Sequence, residues 1–229
     1  MANTKKSKLV LNNVHNCPVS EKITYPIGTV KWVHIEFLNE YYSGAKKSLL
    51  YLEKEVRKME KTGNACMWEY GVAVSTLNEM RKALMVGIFH LWFHNLQEYF
   101  TMGGKEFHSQ KLQFMTLGFD SLIGIFKDLI DKNLIKTIKK YSLLTNAIKH
   151  GFGPALVDLR KGYPEFFYPS QEYTKTDEEG NVCQDAREPL VTKEHFEELH
   201  NKLLEFWEIV PDKISVDIQK LIQNKKVRM

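Results

Sequence analysis

The segment from Thr145 to Gly151 holds the residue types and spacing best suited to chemistry in this sequence. Asn146 and His150 are four residues apart, so on a helix they lie on one face, with Lys149 beside them. A histidine in the last turn of a helix lies at the negative end of the helix dipole, which favours its protonated form. Such a histidine can move protons during phosphodiester cleavage, while the amide positions the phosphate and the ammonium balances charge. A purely structural interpretation stays open, because histidine and lysine also favour helix C-termini for the dipole alone.

The same segment resembles the signature of the HEPN superfamily. These helical-bundle proteins carry an arginine, usually followed by a polar residue such as asparagine, and a histidine four to six residues further on. Asn146 matches the polar position and His150 the histidine, whereas Thr145 occupies the position of the arginine. The resemblance covers residues 134–167 and elsewhere extends only to a shared helical-bundle pattern.

The resemblance implies a function. Many HEPN proteins are metal-independent RNases of toxin–antitoxin, phage-defence and RNA-processing systems, and they dimerise so that two motifs face one another across a cleft. It therefore implies a bacterial, homodimeric endoribonuclease in which the 2′-hydroxyl of RNA attacks the adjacent phosphate without a metal or cofactor. An antitoxin or another protein is a further implied partner. The residues would be His150 as acid or base, Asn146 for positioning, Lys149 or Arg160 to offset charge, and Arg160, Lys161 and Thr145 in contact with substrate.

The threonine at the arginine position leaves two alternatives. Either Lys149 or Arg160 takes the place of the missing cation, although a lysine would weaken bidentate recognition of phosphate. Or the domain is catalytically inactive and uses the same face of the bundle to bind protein, nucleotide or RNA. Thr145 is the feature that favours this second alternative.

A weaker alternative is a metal-binding bundle. His90, His94 and Glu98 recur at intervals of four residues, so one helical stripe could present two imidazoles and a carboxylate to a metal. Glu197 and His200 have the Glu-x-x-His spacing of di-iron bundles, but those need a second such motif and two more glutamates. His90 and His94 have aromatic neighbours in the sequence, which favours a position for these two histidines at the edge of the core rather than at a metal.

Long helices must position these residues. Apolar residues recur at spacings of three and four over four stretches, which predicts four long amphipathic helices. Short turns between them favour an all-α, up-down bundle, followed by one or two C-terminal helices from Thr192, the last through Ile214. Residues 1–28 are predicted to form an irregular arm and 29–229 a single helical domain. The four predicted core stripes include Phe37 and Leu49, then Leu77 and Met80, then Met115 to Leu129, then Leu134 to Ile148.

A long irregular insertion is predicted at about 152–191, because the helical pattern lapses there. Its aromatic residues could stack exposed bases, beside Arg160 and Lys161. Packing of this segment onto the bundle is the favoured interpretation, and a small hairpin around Gly180 is a further expectation. The aromatic residues are Tyr163, Phe166, Phe167, Tyr168 and Tyr173.

Composition sets the outer bounds. Of 229 residues, 43% are hydrophobic and 26% charged, which is typical of a globular protein, and the net charge of +4 permits nucleic acid without arguing for it. No membrane span or secretory signal is recognisable, and the three cysteines suggest neither disulfides nor zinc, so a cytoplasmic location is expected. The sequence also lacks a phosphate-binding glycine loop, a nucleophile elbow and an HExxH motif.

Overall fold

The structure, a computed structural model, describes residues 22–26, 28–63, 66–101, 118–151, 153–167, 188–210 and 213–217. Within these residues the fold is all-α apart from one pair of short strands, which confirms the predicted class. None of the helices in this described part combines the length and apolarity that a membrane span requires. The elements are β1 (Lys22–Pro26), α1 (Gly28–Thr62), α2 (Met67–Thr101), α3 (Phe119–Ile125), α4 (Lys132–His150), α5 (Pro154–Gly162), a 3₁₀ turn (Pro164–Phe166), α6 (Lys193–Ile209) and β2 (Lys213–Asp217).

The two longest helices, α1 and α2, run in opposite directions. The Tyr41 hydroxyl donates to the carbonyl of Leu84 at 3.3 Å, and nearer the connection the Tyr70 hydroxyl donates to Glu60 at 2.8 Å. Residues later in α1 therefore contact residues earlier in α2. The short connection between the helices enforces this reversal. The up-down order predicted for the whole bundle stays a prediction.

The hydrophobic core takes buried side chains from each of the helices α1 to α6 and is rich in aromatic side chains. On α1, the prediction that Phe37 faces the core was wrong, because this residue is exposed while its neighbour Leu38 is fully buried. Met80 on α2 is likewise exposed, and Leu77 is buried. Phe37 and Leu38 are adjacent apolar residues, so spacing alone does not decide which of them faces the core. The largest fully buried side chains are Trp92, Trp207, Tyr141, Phe126, Phe166, Phe196 and Phe206.

Two predictions at the chain ends were wrong within the described residues. Residues 22–26 form β1 rather than irregular arm, and residues 213–217 form β2 rather than the start of a final helix. The strands are antiparallel, with Ile23 opposite Val216 and Tyr25 opposite Ile214. Both segments alternate polar and apolar residues, which is typical of strands. The pairing joins distant parts of the chain, so a local helical pattern does not reveal it.

The insertion is more regular than predicted. Residues 154–166 form α5 and the 3₁₀ turn, which corrects the expectation of irregular chain there. Phe166 and Phe167 are buried, so packing rather than base stacking is confirmed for these two rings. Tyr168, Tyr173 and the hairpin expected around Gly180 lie outside the described residues, as does Met115 at the start of the third predicted helix.

Candidate functional site at the end of α4

The two ends of α4 are fixed by local signals in the sequence. The carboxylate of Asp131 accepts from the backbone N–H groups of Asn133 and Leu134, at 2.7 and 3.3 Å, and so caps the first turn. Gly151 takes a positive φ of 62°, a conformation that favours glycine, and its N–H donates to the Ala147 carbonyl at 3.0 Å. The helix therefore ends directly after His150, as predicted.

The last two turns of α4 separate the motif residues into two environments. Thr145 is only 2% exposed, and its hydroxyl donates to the carbonyl of Ser142 at 3.0 Å. Asn146, Lys149 and His150 are all exposed. The structure therefore brings the predicted amide, ammonium and imidazole to one solvent-facing end of the helix, whereas the side chain of Thr145 faces the core. We call Asn146, Lys149 and His150 the α4 surface.

The next helix carries the two further cations predicted at the site. The guanidinium carbon of Arg160 lies 4.8 Å from the ring centroid of Phe167, and the arginine is half-buried. Lys161 is exposed. Since α5 packs directly on α4, Lys161 adds an exposed positive charge on the neighbouring helix, whereas Arg160 stacks on an aromatic ring.

On α2, His90 lies towards the α4 surface. Part of its side chain is covered by neighbouring residues, although His90 as a whole counts as exposed. This partial burial, and then the charge of Lys149, lower the pKa of His90 below its ordinary value. A neighbouring ammonium disfavours a second positive charge, so His90 is held towards its neutral, proton-accepting form. The sequence placed His90 either in the metal alternative or at the edge of the core, because nothing in it reveals that α2 approaches the end of α4 here.

The metal alternative gains no support from the geometry. Among the described residues, no group of three or more histidine, cysteine, aspartate or glutamate side chains could hold a metal ion. His94 Nδ1 lies 3.9 Å from a carboxylate oxygen of Glu98. His200 is buried, with Nε2 3.2 Å from Asn39 Oδ1 and its ring stacked on Tyr42 at a centroid distance of 3.9 Å. These contacts give His200 a structural role.

Sequence reasoning missed a buried lysine behind α4. The ammonium of Lys82 donates to Glu79 at 2.8 Å and to Glu188. Burial alone would lower the pKa of Lys82, but the hydrogen bonds to the two carboxylates raise it above its ordinary value. Its spacing from Glu79 is visible in the sequence, whereas Glu188 comes from far along the chain. These residues, with Pro189, line a cavity of about 100 Å³ against Ala147, Ile148, Gly151 and Leu156.

The cavity and the α4 surface lie on different faces of the helix. The cavity contacts Ala147 and Ile148, while Asn146 and His150 face solvent. Lys82 and the carboxylates of Glu79 and Glu188 therefore lie on the side of α4 opposite to the α4 surface, across the cavity from Ala147 and Ile148. The exposed face suits contact with an extended, negatively charged chain better than enclosure of a small molecule.

We find no match to this chain among protein-family models, curated proteins or solved structures. The resemblance to HEPN proteins accordingly depends on the sequence around Thr145–Gly151.

Proposed function

We propose that this protein is a HEPN-like helical-bundle protein that binds RNA through the α4 surface. The observation that carries the proposal is the joint exposure of Asn146, Lys149 and His150 at one end of α4. Lys161 adds a second exposed ammonium on α5, the helix that packs on α4. Lysine and protonated histidine contact phosphate, and the amide can donate to phosphate or to a base edge.

Binding without cleavage is the form of this function that Thr145 favours. Its side chain is buried and its hydroxyl is bonded to the carbonyl of Ser142, so it cannot reach a substrate without unfolding the last turns of α4. The arginine that HEPN nucleases carry at this position would have no direct substitute there. Arg160 is stacked on Phe167, which also restricts its use as a replacement cation.

Metal-independent cleavage is a second candidate, favoured by the shared exposed face of Asn146 and His150. In this reaction, the 2′-hydroxyl of RNA loses its proton and attacks the adjacent phosphorus, and the bond to the 5′-oxygen breaks. His150 would take the first proton or supply one to the leaving oxygen, while Lys149 offsets the charge that develops on the phosphate. Such chemistry needs no enclosed pocket, because RNA supplies its own nucleophile. A homodimer and a protein partner of the antitoxin type remain predictions from the resemblance.

Two assays run in parallel test this function, the first for RNA binding and the second for RNA cleavage. Binding of a labelled single-stranded RNA is measured by fluorescence anisotropy in excess EDTA, using RNA that is 2′-O-methylated throughout so that it cannot be cleaved. We expect the double variant Lys149→Ala, Lys161→Ala to bind at least roughly tenfold more weakly and to show a smaller salt dependence, since two phosphate contacts are lost. The matched control is Lys47→Ala, Lys54→Ala, which removes two exposed ammonium groups from α1.

Equal weakening in the control would contradict the proposal, because RNA would then respond only to net charge. Cleavage is assayed in parallel on unmodified RNA, again with EDTA. Cleavage that survives EDTA and disappears in His150→Ala supports the nuclease. Binding by the wild type without cleavage supports the inactive module.

A further inference from the structure

The exposed face of α4 is basic along the whole helix. α4 contains five lysines and no acidic residue, whereas the chain as a whole has 32 lysines and arginines against 28 acidic residues. Positions that recur at spacings of three and four residues share one face of a helix. On α4, one such set faces away from the core, and all of its members are exposed except the half-buried Leu143. The members of this set, which we call the α4 stripe, are Lys132, Lys136, Lys139, Leu143, Asn146 and His150.

Two lysines of the stripe are placed unfavourably for the helix itself. Lys132 lies in the first turn of α4, where the positive end of the helix dipole disfavours a cation. Lys132 and Lys136 are four residues apart on one face, and like charges at this spacing repel each other. Within the described residues, neither ammonium has a carboxylate in ion-pair distance. The stability of α4 therefore does not explain these lysines, whereas a bound polyanion would relieve both effects.

The length and spacing of the stripe match a single strand of phosphates. The helix rises by about 27 Å between Lys132 and His150, at about 5.4 Å per turn, and each turn presents a residue of the stripe. A chain of regularly spaced negative charges fits this arrangement better than one small anion does. The apolar side of α4, with Leu134 and Ile138, is buried in the core, so the helix cannot insert it into a lipid bilayer. Duplex RNA is a poorer match, because its major groove is too narrow for side chains to enter.

We propose that single-stranded RNA lies along the α4 stripe from one end of the helix to the other. Lys132, Lys136 and Lys139 contact successive backbone phosphates, and the strand continues to Asn146 and His150. This inference rests on the proposed function and extends it from the last turns of α4 to the whole helix. A strand of roughly five nucleotides would span the stripe, which is within the range of site sizes of single-strand binding proteins.

The first test compares two single-stranded RNAs, of about three and about ten nucleotides, both 2′-O-methylated throughout. The wild type should bind the longer strand more tightly, because only that strand spans the stripe. The double variant Lys132→Gln, Lys136→Gln should bind the longer strand at least roughly tenfold more weakly, with the slope of log affinity against log salt concentration reduced by about two. It should unfold at no lower temperature than the wild type, because two unfavourable charges are removed from α4. The matched control is Lys47→Gln, Lys54→Gln on α1, which should bind nearly like the wild type.

Lys139 allows a test in which binding becomes tighter. Its ammonium lies 3.0 Å from the carboxylate of Asp120 on α3, and the two side chains are 49% and 62% exposed. Such an exposed pair contributes little to stability, but the carboxylate competes with phosphate for the ammonium. Asp120→Asn should therefore bind the longer strand about threefold more tightly, with a steeper salt dependence. Glu40→Gln removes an exposed carboxylate from α1 as the control and should bind like the wild type. Unchanged or weaker binding by Asp120→Asn would contradict a phosphate contact at Lys139, and equal tightening by the control would show a response to net charge alone.

The outcomes distinguish this inference from the proposed function. Undiminished binding of the longer strand by Lys132→Gln, Lys136→Gln would overturn the α4 stripe as the path of the RNA. The proposed function would survive that result if Lys149→Ala, Lys161→Ala still weakened binding, whereas a wild type that binds no RNA would overturn both. Duplex RNA of equal length and phosphatidylserine vesicles are tested on the same variants. Tighter binding of the duplex, or binding of the vesicles alone that is lost in Lys132→Gln, Lys136→Gln, would assign the stripe to a different polyanion and overturn the proposal.

Discussion

His34 on α1 stacks against Trp207 on α6, with ring centroids 4.9 Å apart. The histidine is 1% exposed, and within the described part of the chain neither ring nitrogen has a hydrogen-bond partner. Burial, and then the charge of His94, lower the pKa of His34 to about 4. The imidazole therefore packs in the core as a neutral aromatic ring, and protonation opposes the folded state.

This arrangement predicts that the protein loses stability in moderate acid. The unfolded chain binds a proton at His34 below about pH 6.5, whereas the folded chain resists it until about pH 4, so stability falls as the pH drops between these values. The full shift corresponds to about 3 kcal/mol. Urea unfolding is measured at several pH values for the wild type and for His34→Phe, which keeps an aromatic ring against Trp207. The free energy of unfolding should depend less on pH in the variant.

The comparison isolates His34 from the other histidines. Burial also lowers the pKa of His90, His195 and His200, so the wild type carries several contributions of the same sign. Those contributions remain in His34→Phe and cancel in the difference between the two proteins. Identical pH dependence in wild type and variant would show that His34 does not resist protonation.

A second prediction concerns the contact between α4 and α6. The hydroxyl of buried Tyr141 donates to the carboxylate of Glu198, and Lys140 donates to the same carboxylate at 3.1 Å. Burial, together with the hydrogen bond to Glu198, raises the pKa of Tyr141, so the donor stays protonated. Tyr141→Phe should lower the free energy of unfolding by about 1 to 2 kcal/mol, since a hydrogen bond to a charged group is lost.

A double-mutant cycle checks that this loss belongs to the pair. Tyr141→Phe and Glu198→Gln are made singly and together, and unfolding is followed in urea. We expect a coupling free energy of about 1 kcal/mol between the two positions, because either change alone removes the same charged hydrogen bond. Strictly additive losses would mean that the two side chains do not stabilise the fold through each other.

Two glycines allow a matched test of packing between α1 and α2. A Cβ atom at Gly87 would overlap the hydroxyl of Tyr41, which is itself bonded to the carbonyl of Leu84 at 3.3 Å. Gly87→Ala should therefore destabilise the protein by about 1 to 3 kcal/mol, as overpacking does. Gly44→Ala meets no atom within 4 Å and should stabilise α1 by about 0.5 to 1 kcal/mol. Thermal unfolding should move in opposite directions, and stabilisation by both changes would contradict the close contact at Gly87.

Features set by local residues were predictable from the sequence. Gly151 ends α4 and Thr192 precedes α6 as the sequence indicates, because caps and helix breakers act within one turn. The placement of Asn146 and His150 on one face follows from their spacing in the same way.

Features that depend on distant parts of the chain were not predictable in this way. The pairing of β1 with β2 and the bond from Lys82 to Glu188 join segments far apart in sequence. The choice between Phe37 and Leu38 for the core also depends on neighbouring helices rather than on α1 alone. At the candidate site, the burial of Thr145 was also not predictable from the sequence. The motif pattern treats this position as a contact with substrate, whereas the structure buries it.

The start of α6 gives the last prediction. The hydroxyl of Thr192 accepts from the N–H of His195 at 3.3 Å, and Nδ1 of the His195 ring accepts from the N–H of Thr192 at 3.3 Å. This reciprocal cap begins the helix whose Phe196 and Leu199 enter the core. Thr192→Ala should therefore destabilise the protein by about 1 kcal/mol, while Thr192→Ser keeps the hydroxyl and should change stability by only a few tenths. Both are measured by urea unfolding at neutral pH, where the lowered pKa of His195, caused first by burial and then by the charge of Lys140, keeps Nδ1 free to accept. Equal losses in the alanine and serine variants would show that the methyl group, rather than the capping hydroxyl, is what α6 requires.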